Sequence, residues 1–224
     1  MVEVSPTSLK RFPKYRAVSQ ALAEQGWDYI TSADLARVCA MQEVLVRKDL
    51  AQTGVVGRPH HGYRIDALIA SVNRVLGWDT PRRIFIVGAG WLASSVTAYP
   101  VFRECKLSFA YAVDSDPAKI GQKMNGMPII SFEEAAARLE AEPLQLALLS
   151  VPVTVAQSVT DRLVSLGVKA ILNFTPAALA VPEGVKVVDA NLSPFLAELC
   201  FSLQPPPLPG GTAEGTTSRT DAAR

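Results

Sequence analysis

Ile84-Phe85-Ile86-Val87-Gly88-Ala89-Gly90-Trp91-Leu92-Ala93 decides the fold of this 224-residue chain. Four consecutive apolar residues predict a strand buried on both faces. Two glycines one residue apart then predict a turn at its mouth, with a helix opening behind it. That order is the form of a dinucleotide site. The first glycine makes the turn and the second lets backbone approach a pyrophosphate. A small third residue, here Ala93, lets helix and strand pack closely. Ligand contacts are therefore expected at Gly88, Gly90, Trp91, Leu92 and Ala93.

Downstream, apolar runs alternate with helical patterns. Strands are expected at 84–87, 107–113, 127–130, 145–150, 169–174 and 185–188, with helices at 91–103, 132–140 and 154–166. Such alternation implies a parallel sheet covered on both faces, the doubly wound α/β architecture. Asp114 and Asp116 follow the second strand, 26 and 28 residues past Gly88. A carboxylate near this offset accepts from ribose hydroxyls and repels a 2′-phosphate, so NAD(H) is expected over NADP(H). The alternative is a glycine turn in a domain that has lost its ligand, with Asp116-Pro117 an ordinary helix cap.

Upstream, a helix is expected from about 12 to 25, with Pro13 in its first turn and Gly26 as its stop. Ser32 is expected to cap a short helix, and a second runs from about 42 to 52. Two short helices joined by a tight turn form a helix-turn-helix. Gly54, Gly57 and Gly62 punctuate an expected hairpin, the wing, and Asp66 can cap a further helix ending at Leu76. Val46 and Leu50, four apart, face the core together, which turns Arg47 and Lys48 outward toward bases or phosphates. A solvated basic helix face gives the same pattern. Arg58, in the wing, suits the negative minor groove. The adjacent His60 and His61 read as turn residues of the wing that join Arg58 as expected DNA contacts, and no metal site is expected because no Cys or carboxylate cluster accompanies them.

Composition fits this division. Residues 1–83 hold 12 Lys and Arg against 8 Asp and Glu, a net of +4, and residues 84–224 hold 10 against 13, a net of −3. A basic front and an acidic back suit nucleic acid at one end only. Cys39, Cys105 and Cys200 show no CxxC spacing, which argues for a reducing compartment, and all three are expected to be buried. Without a signal peptide or a membrane-length apolar run, a cytoplasmic location is expected.

Several separated blocks now combine. Arg11-Phe12-Pro13-Lys14-Tyr15-Arg16, Val46-Arg47-Lys48-Asp49-Leu50 and Gly62-Tyr63 precede the glycine turn. Tyr99-Pro100-Val101-Phe102, Asp114-Ser115-Asp116-Pro117-Ala118-Lys119-Ile120-Gly121, Val151-Pro152 and Ile171-Leu172-Asn173-Phe174-Thr175-Pro176 follow it. In order and spacing the chain resembles the Rex family of bacterial redox-sensing repressors over about 9–204. The resemblance implies an N-terminal winged helix (1–80), a Rossmann domain (81–190), and a C-terminal helix (191–204) exchanged into the partner of a homodimer. A Pro-rich tail, 205–224, is expected to be disordered.

The resemblance also implies operator DNA as partner and NADH as regulatory ligand: DNA is held when NADH is low and released when it is high. Val151, Pro152 and Asn173 join the expected nucleotide contacts, Arg11 joins the expected DNA contacts, and Arg16, Tyr99 and Asn191 form an expected switch contact. Departures from the family pattern fall at Trp91, Ala93, Leu45, the wing 57–62 and Asn191, the last standing at a usually acidic position. Two other functions compete: a divergent member that binds DNA without sensing NADH, and an NAD-dependent dehydrogenase. The second lacks a recognisable acid/base constellation, since no histidine follows the glycine turn.

Overall fold

The computed structural model describes residues 4–203. The chain falls into two units, Met1–Asp189 and Ala190–Arg224.

The first unit opens with α1 (Pro6–Glu24). Ser5 caps it by accepting from the Ser8 N–H, and Pro6 takes a first-turn position where no intrahelical donor is needed. The helix thus starts well before residue 12, and Pro13 sits inside it. An internal proline costs roughly 3 kcal/mol, but Phe12 and Tyr15 are fully buried, and two large side chains return more than that.

Next come β1 (Tyr29–Ile30) and α2 (Ser32–Cys39). The cap of α2 is Thr31, not Ser32: its hydroxyl accepts from the Asp34 N–H at 3.0 Å. Ser32 instead donates to Glu43 of α3 (Glu43–Thr53) at 2.9 Å. Ala40, in the left-handed region, makes the turn between these helices.

The expected wing hairpin is reduced to a turn. Arg58 and Gly62 exchange two backbone hydrogen bonds, and the only strand there, β2 (Tyr63–Arg64), pairs antiparallel with β1. Pro59 cannot donate to a ladder, and His60 adopts φ 62°, which ends strand geometry at once. α4 (Ile65–Leu76) follows an extended Arg64, placing Asp66 in the first turn and not at the cap. Phe12, Tyr15, Leu35, Val46, Leu50 and Leu68 form the core of this half.

The second half contains β3 (Arg82–Val87), α5 (Trp91–Thr97), α6 (Val101–Glu104), β4 (Leu107–Val113), β5 (Lys123–Met124) and β6 (Met127–Ile130). It continues with α7 (Phe132–Ala141), β7 (Leu146–Leu149), α8 (Val153–Ser165), β8 (Ala170–Asn173) and β9 (Lys186–Asp189). Strand order is β5-β6-β4-β3-β7-β8-β9, parallel throughout except for the β5–β6 pair. Each of the six expected strands has its counterpart. The helix expected over 91–103 is broken after Thr97, and Val101 restarts it behind Pro100. Since β4 lies on one side of β3 and β7 on the other, a crevice opens at their carboxyl ends.

The second unit carries α9 (Ser193–Ser202). None of its side chains is buried, and Phe195, Leu196, Leu199 and Phe201 are exposed. Cys200 is exposed for the same reason, against the expectation of burial, whereas Cys39 and Cys105 are buried. The tail expected over 205–224 lies outside the described residues. Among those described, no helix is long and apolar enough to cross a membrane.

Candidate functional site

A cleft of about 570 Å³ occupies the crevice at the ends of β3 and β7. The two glycines on its floor differ in kind. Gly88 has φ +94°, and a Cβ there would stand 1.9 Å from the Ser150 carbonyl oxygen, so only glycine fits. Gly90 has an ordinary φ of −90°, and a Cβ there would meet nothing within 4 Å. The protein itself makes no demand for glycine at 90. The space in front of it belongs to the cleft.

Asp114 closes the cleft beside that turn. Its carboxylate accepts from the Ala89 N–H at 2.8 Å, the Asp116 N–H at 2.9 Å and Lys119 Nζ at 3.1 Å. Burial disfavours its charge, but these donors outweigh that effect and hold the carboxyl below its usual range. Asp114 therefore ties the glycine loop to the β4 end while its side chain stays 11% exposed.

The far wall is α8, where Val155, Val159 and Arg162 share one helical face, with Phe132 and Ser131 opposite. The Arg162 guanidinium lies 3.8 Å from the Phe132 ring centroid. Apolar walls, the Asp114 carboxylate beside Lys119, Glu133 beside Arg162, and an open glycine fit an adenine nucleotide.

Of the residues expected to bind nucleotide, Gly88, Gly90, Asp114, Val151 and Pro152 line this cleft. The others lie elsewhere. Ala93 is fully buried on the inner face of α5. Trp91 (84% exposed) and Leu92 lie on the outer surface of the α5 start. Asp116 accepts from the Ala118 N–H, a local turn bond.

Asn173 is fully committed within the protein. Its amide donates to Asp189 and the Ala177 carbonyl, and its oxygen accepts from both the amide and hydroxyl of Thr175. With every donor and acceptor used and the residue buried, it shapes the turn after β8 and has nothing left for a ligand. Ser115, Lys119, Ile120, Phe132 and Arg162 are lining residues that sequence reasoning missed. The 155-159-162 spacing on one helix was the available signal for Arg162.

In the first half, Arg47 and Lys48 project into solvent from α3, while Val46 and Leu50 are fully buried. Arg58, His60 and His61 are exposed on the wing turn. Arg58 donates to the Tyr29 hydroxyl at 2.9 Å, and His61 packs edge-on against the same ring. Gly62 is obligatory, since a Cβ there would stand 2.4 Å from the Ile30 carbonyl oxygen.

Arg11 is placed differently from expectation. Its Nε and Nη2 both bond the Asp49 carboxylate at 2.6 Å, so its fork points inward. Arg16, also buried, donates to Asn73 at 2.7 Å and to the Glu104 carbonyl at 3.1 Å, and its guanidinium lies over Trp78. Tyr99 is exposed on the first unit. Asn191 belongs to the second unit, where it accepts from the Ser193 N–H.

Comparison with known proteins follows these two regions. Residues 3–51 match a family model described as Putative DNA-binding protein N-terminus, and residues 79–177 match the CoA binding domain model. The chain is 33% identical over 192 residues to the redox-sensing transcriptional repressor Rex of Treponema denticola, covering 86% of this chain and 91% of that one. It is 32% identical to the Rex repressor of an Exiguobacterium species, covering 95% and 96%. A solved structure of RSP in complex with β-NAD+ and operator DNA superposes with a TM-score of 0.84 at 27% identity, covering 91% of this chain and 94% of RSP. RSP in complex with β-NADH gives a TM-score of 0.80 at 26% identity, with 91% and 95% covered.

Proposed function

The chain belongs to the Rex family of redox-sensing transcriptional repressors, and from that premise we propose that it represses by binding operator DNA and lets go when NADH occupies its cleft. The observation that carries the nucleotide half is the contrast between Gly88, which the backbone requires, and Gly90, which only a closely approaching ligand requires. Gly90 and the adjoining backbone would receive the pyrophosphate, and Asp114 with Lys119 the adenosine ribose. NADH brings no chemistry to be catalysed here, only its differential affinity for two arrangements of the protein.

The other half is carried by Arg47 and Lys48, which α3 presents outward for a major groove, with the Arg58 turn beside the adjoining backbone. We assign 1–80 to the DNA-binding domain, 81–190 to the nucleotide domain and 191–204 to a dimerisation helix. An α9 that exposes four large apolar side chains supports exchange into a partner subunit. Burying each of these would contribute about 1.5–3 kcal/mol. A symmetric dimer then offers two copies of α3 to half-sites about 34–36 Å apart.

By linkage, NADH weakens DNA binding by the same factor that DNA weakens NADH binding. A regulator, not a catalyst, is the better reading of the cleft, because each of its carboxylates, Asp114 and Glu133, stands paired with a cation, Lys119 and Arg162. A cytoplasmic location goes with this role.

A second reading keeps DNA binding and loses the response. It is favoured by Asn191, which offers a neutral amide where the family pattern has a carboxylate. One experiment separates the two. The dissociation constant for a duplex selected from a random pool is measured at fixed salt, with and without saturating NADH. A rise of tenfold or more is expected under the sensing reading. An unchanged constant, with NADH binding demonstrated by calorimetric titration, establishes the second.

A further inference from the structure

Asp49 sits on the same helix as Arg47 and Lys48 but is 1% exposed. Its carboxylate takes four hydrogen bonds from α1: Arg11 Nε and Nη2 at 2.6 Å each, the Tyr15 hydroxyl at 2.6 Å and the Ser8 hydroxyl at 2.8 Å. One turn on, Gln52 extends the same seam, donating to the Ser8 hydroxyl at 3.0 Å and accepting from the Ser5 N–H at 3.1 Å. The partners on the α1 side run from its cap, Ser5, to Tyr15, so the seam fixes α3 in both translation and rotation. The pairing is bidentate, so it also fixes the plane of the Arg11 fork. Tyr15 and Ser8 are themselves buried, which excludes water from competing.

We propose that Arg11 and Asp49 are positioning residues for DNA recognition: they aim Arg47 and Lys48, and Arg11 does not itself contribute a phosphate contact. The proposal rests on the DNA-binding reading above. It separates from that reading by observable behaviour, because a direct contact and an aiming residue change DNA binding in different ways.

The test uses the full-length chain and the highest-affinity duplex that it recovers from a random pool. If no duplex is recovered, the DNA-binding reading falls, and this proposal with it. With a duplex in hand, R11M, R11K, D49N and R11M/D49N are compared by affinity, by salt dependence and by thermal unfolding. Each single variant is expected to lose tenfold or more in affinity with the slope of log K against log salt unchanged. R11K is expected to fail like R11M, since lysine keeps the charge but cannot form the two-pronged pair.

The double variant removes both charges and is expected to bind no worse than R11M, because no buried charge is left alone. It also guards against a fold defect, since its melting should recover toward the parent. Three outcomes overturn the proposal: a slope reduced by about 0.9 in R11M, the signature of one lost phosphate contact; rescue of affinity by R11K; or losses in R11M and D49N that simply add.

Discussion

Each half of the first unit is organised around one aspartate, and the two are used in opposite ways. Asp49 is saturated by side chains of another helix and sealed from solvent. Asp114 is held mainly by two backbone amides, one from its own turn and one from the glycine loop, and stands at the lip of a cleft. A carboxylate that locks helices must be exhausted within the fold. A carboxylate that serves a ligand must be fixed in place yet keep a lone pair for something outside. Burial, not residue type, separates the two roles.

The largest effect expected from breaking this comparison is at Asp49. Asp49→Ala leaves the Arg11 guanidinium and the Tyr15 hydroxyl without their acceptor, and should cost about 3–5 kcal/mol in chemical denaturation. Gly88→Ala comes next, at about 2–5 kcal/mol, because its Cβ collides with the Ser150 carbonyl in a backbone conformation that side chains rarely adopt. Gly90→Val is its counterpart. It should leave denaturation unchanged within about 0.5 kcal/mol while abolishing the NADH effect on DNA binding. Loss of stability there would put Gly90 with Gly88 as a purely structural glycine.

Asp114→Ala should cost less than Asp49→Ala, about 1–3 kcal/mol, since water can reach the freed amides. It should also weaken NADH binding in a fluorescence titration. Equal costs at the two aspartates would erase the distinction between a helix lock and a cleft carboxylate.

Acid provides a smaller and graded test. Burial works against the charge of Asp49, but bonds from Arg11, Tyr15 and Ser8 overcome it, so its carboxyl titrates below its ordinary range, as does that of Asp114. Both therefore bind a proton more readily unfolded than folded. Their contribution is full above about pH 4 and is lost as pH falls below that. Melting temperature should drop steeply there, and the drop should be shallower in Asp49→Asn. Smallest of all, Lys48→Ala should leave melting unchanged and lower the salt slope of DNA binding by about 0.9. An unchanged slope would remove Lys48 from the interface.

The nucleotide half is the more legible in sequence. Its central strands carry short apolar runs, and Ile84–Val87 is buried at every position. Gly88 can be read because a turn needs its backbone freedom. The start of α1 is equally readable in Ser5-Pro6, yet Pro13 draws attention away from it, and tertiary burial of Phe12 and Tyr15 overrides the local penalty. The wing misleads because glycine spacing signals a hairpin while Pro59 and His60 prevent a ladder.

Side-chain partnerships across distance are the hardest to see. Asp49 meets residues 34 to 41 positions away. Nothing in RKDL says that its aspartate faces inward, save that it stands three residues after one buried residue and just before another. Asn173 misleads for a related reason: its position at a strand end invites a ligand, but Asp189 and Thr175 arrive from later in the chain to use it up.

Cys200 has a practical consequence. It is the one exposed thiol among the described residues, and it lies on the helix whose apolar face calls for a companion. Under the helix exchange proposed above, alkylation at this single sulfur would act as a stopwatch for assembly: rapid labelling while protomers are apart, slow labelling after exchange, with Cys39 and Cys105 silent in either state.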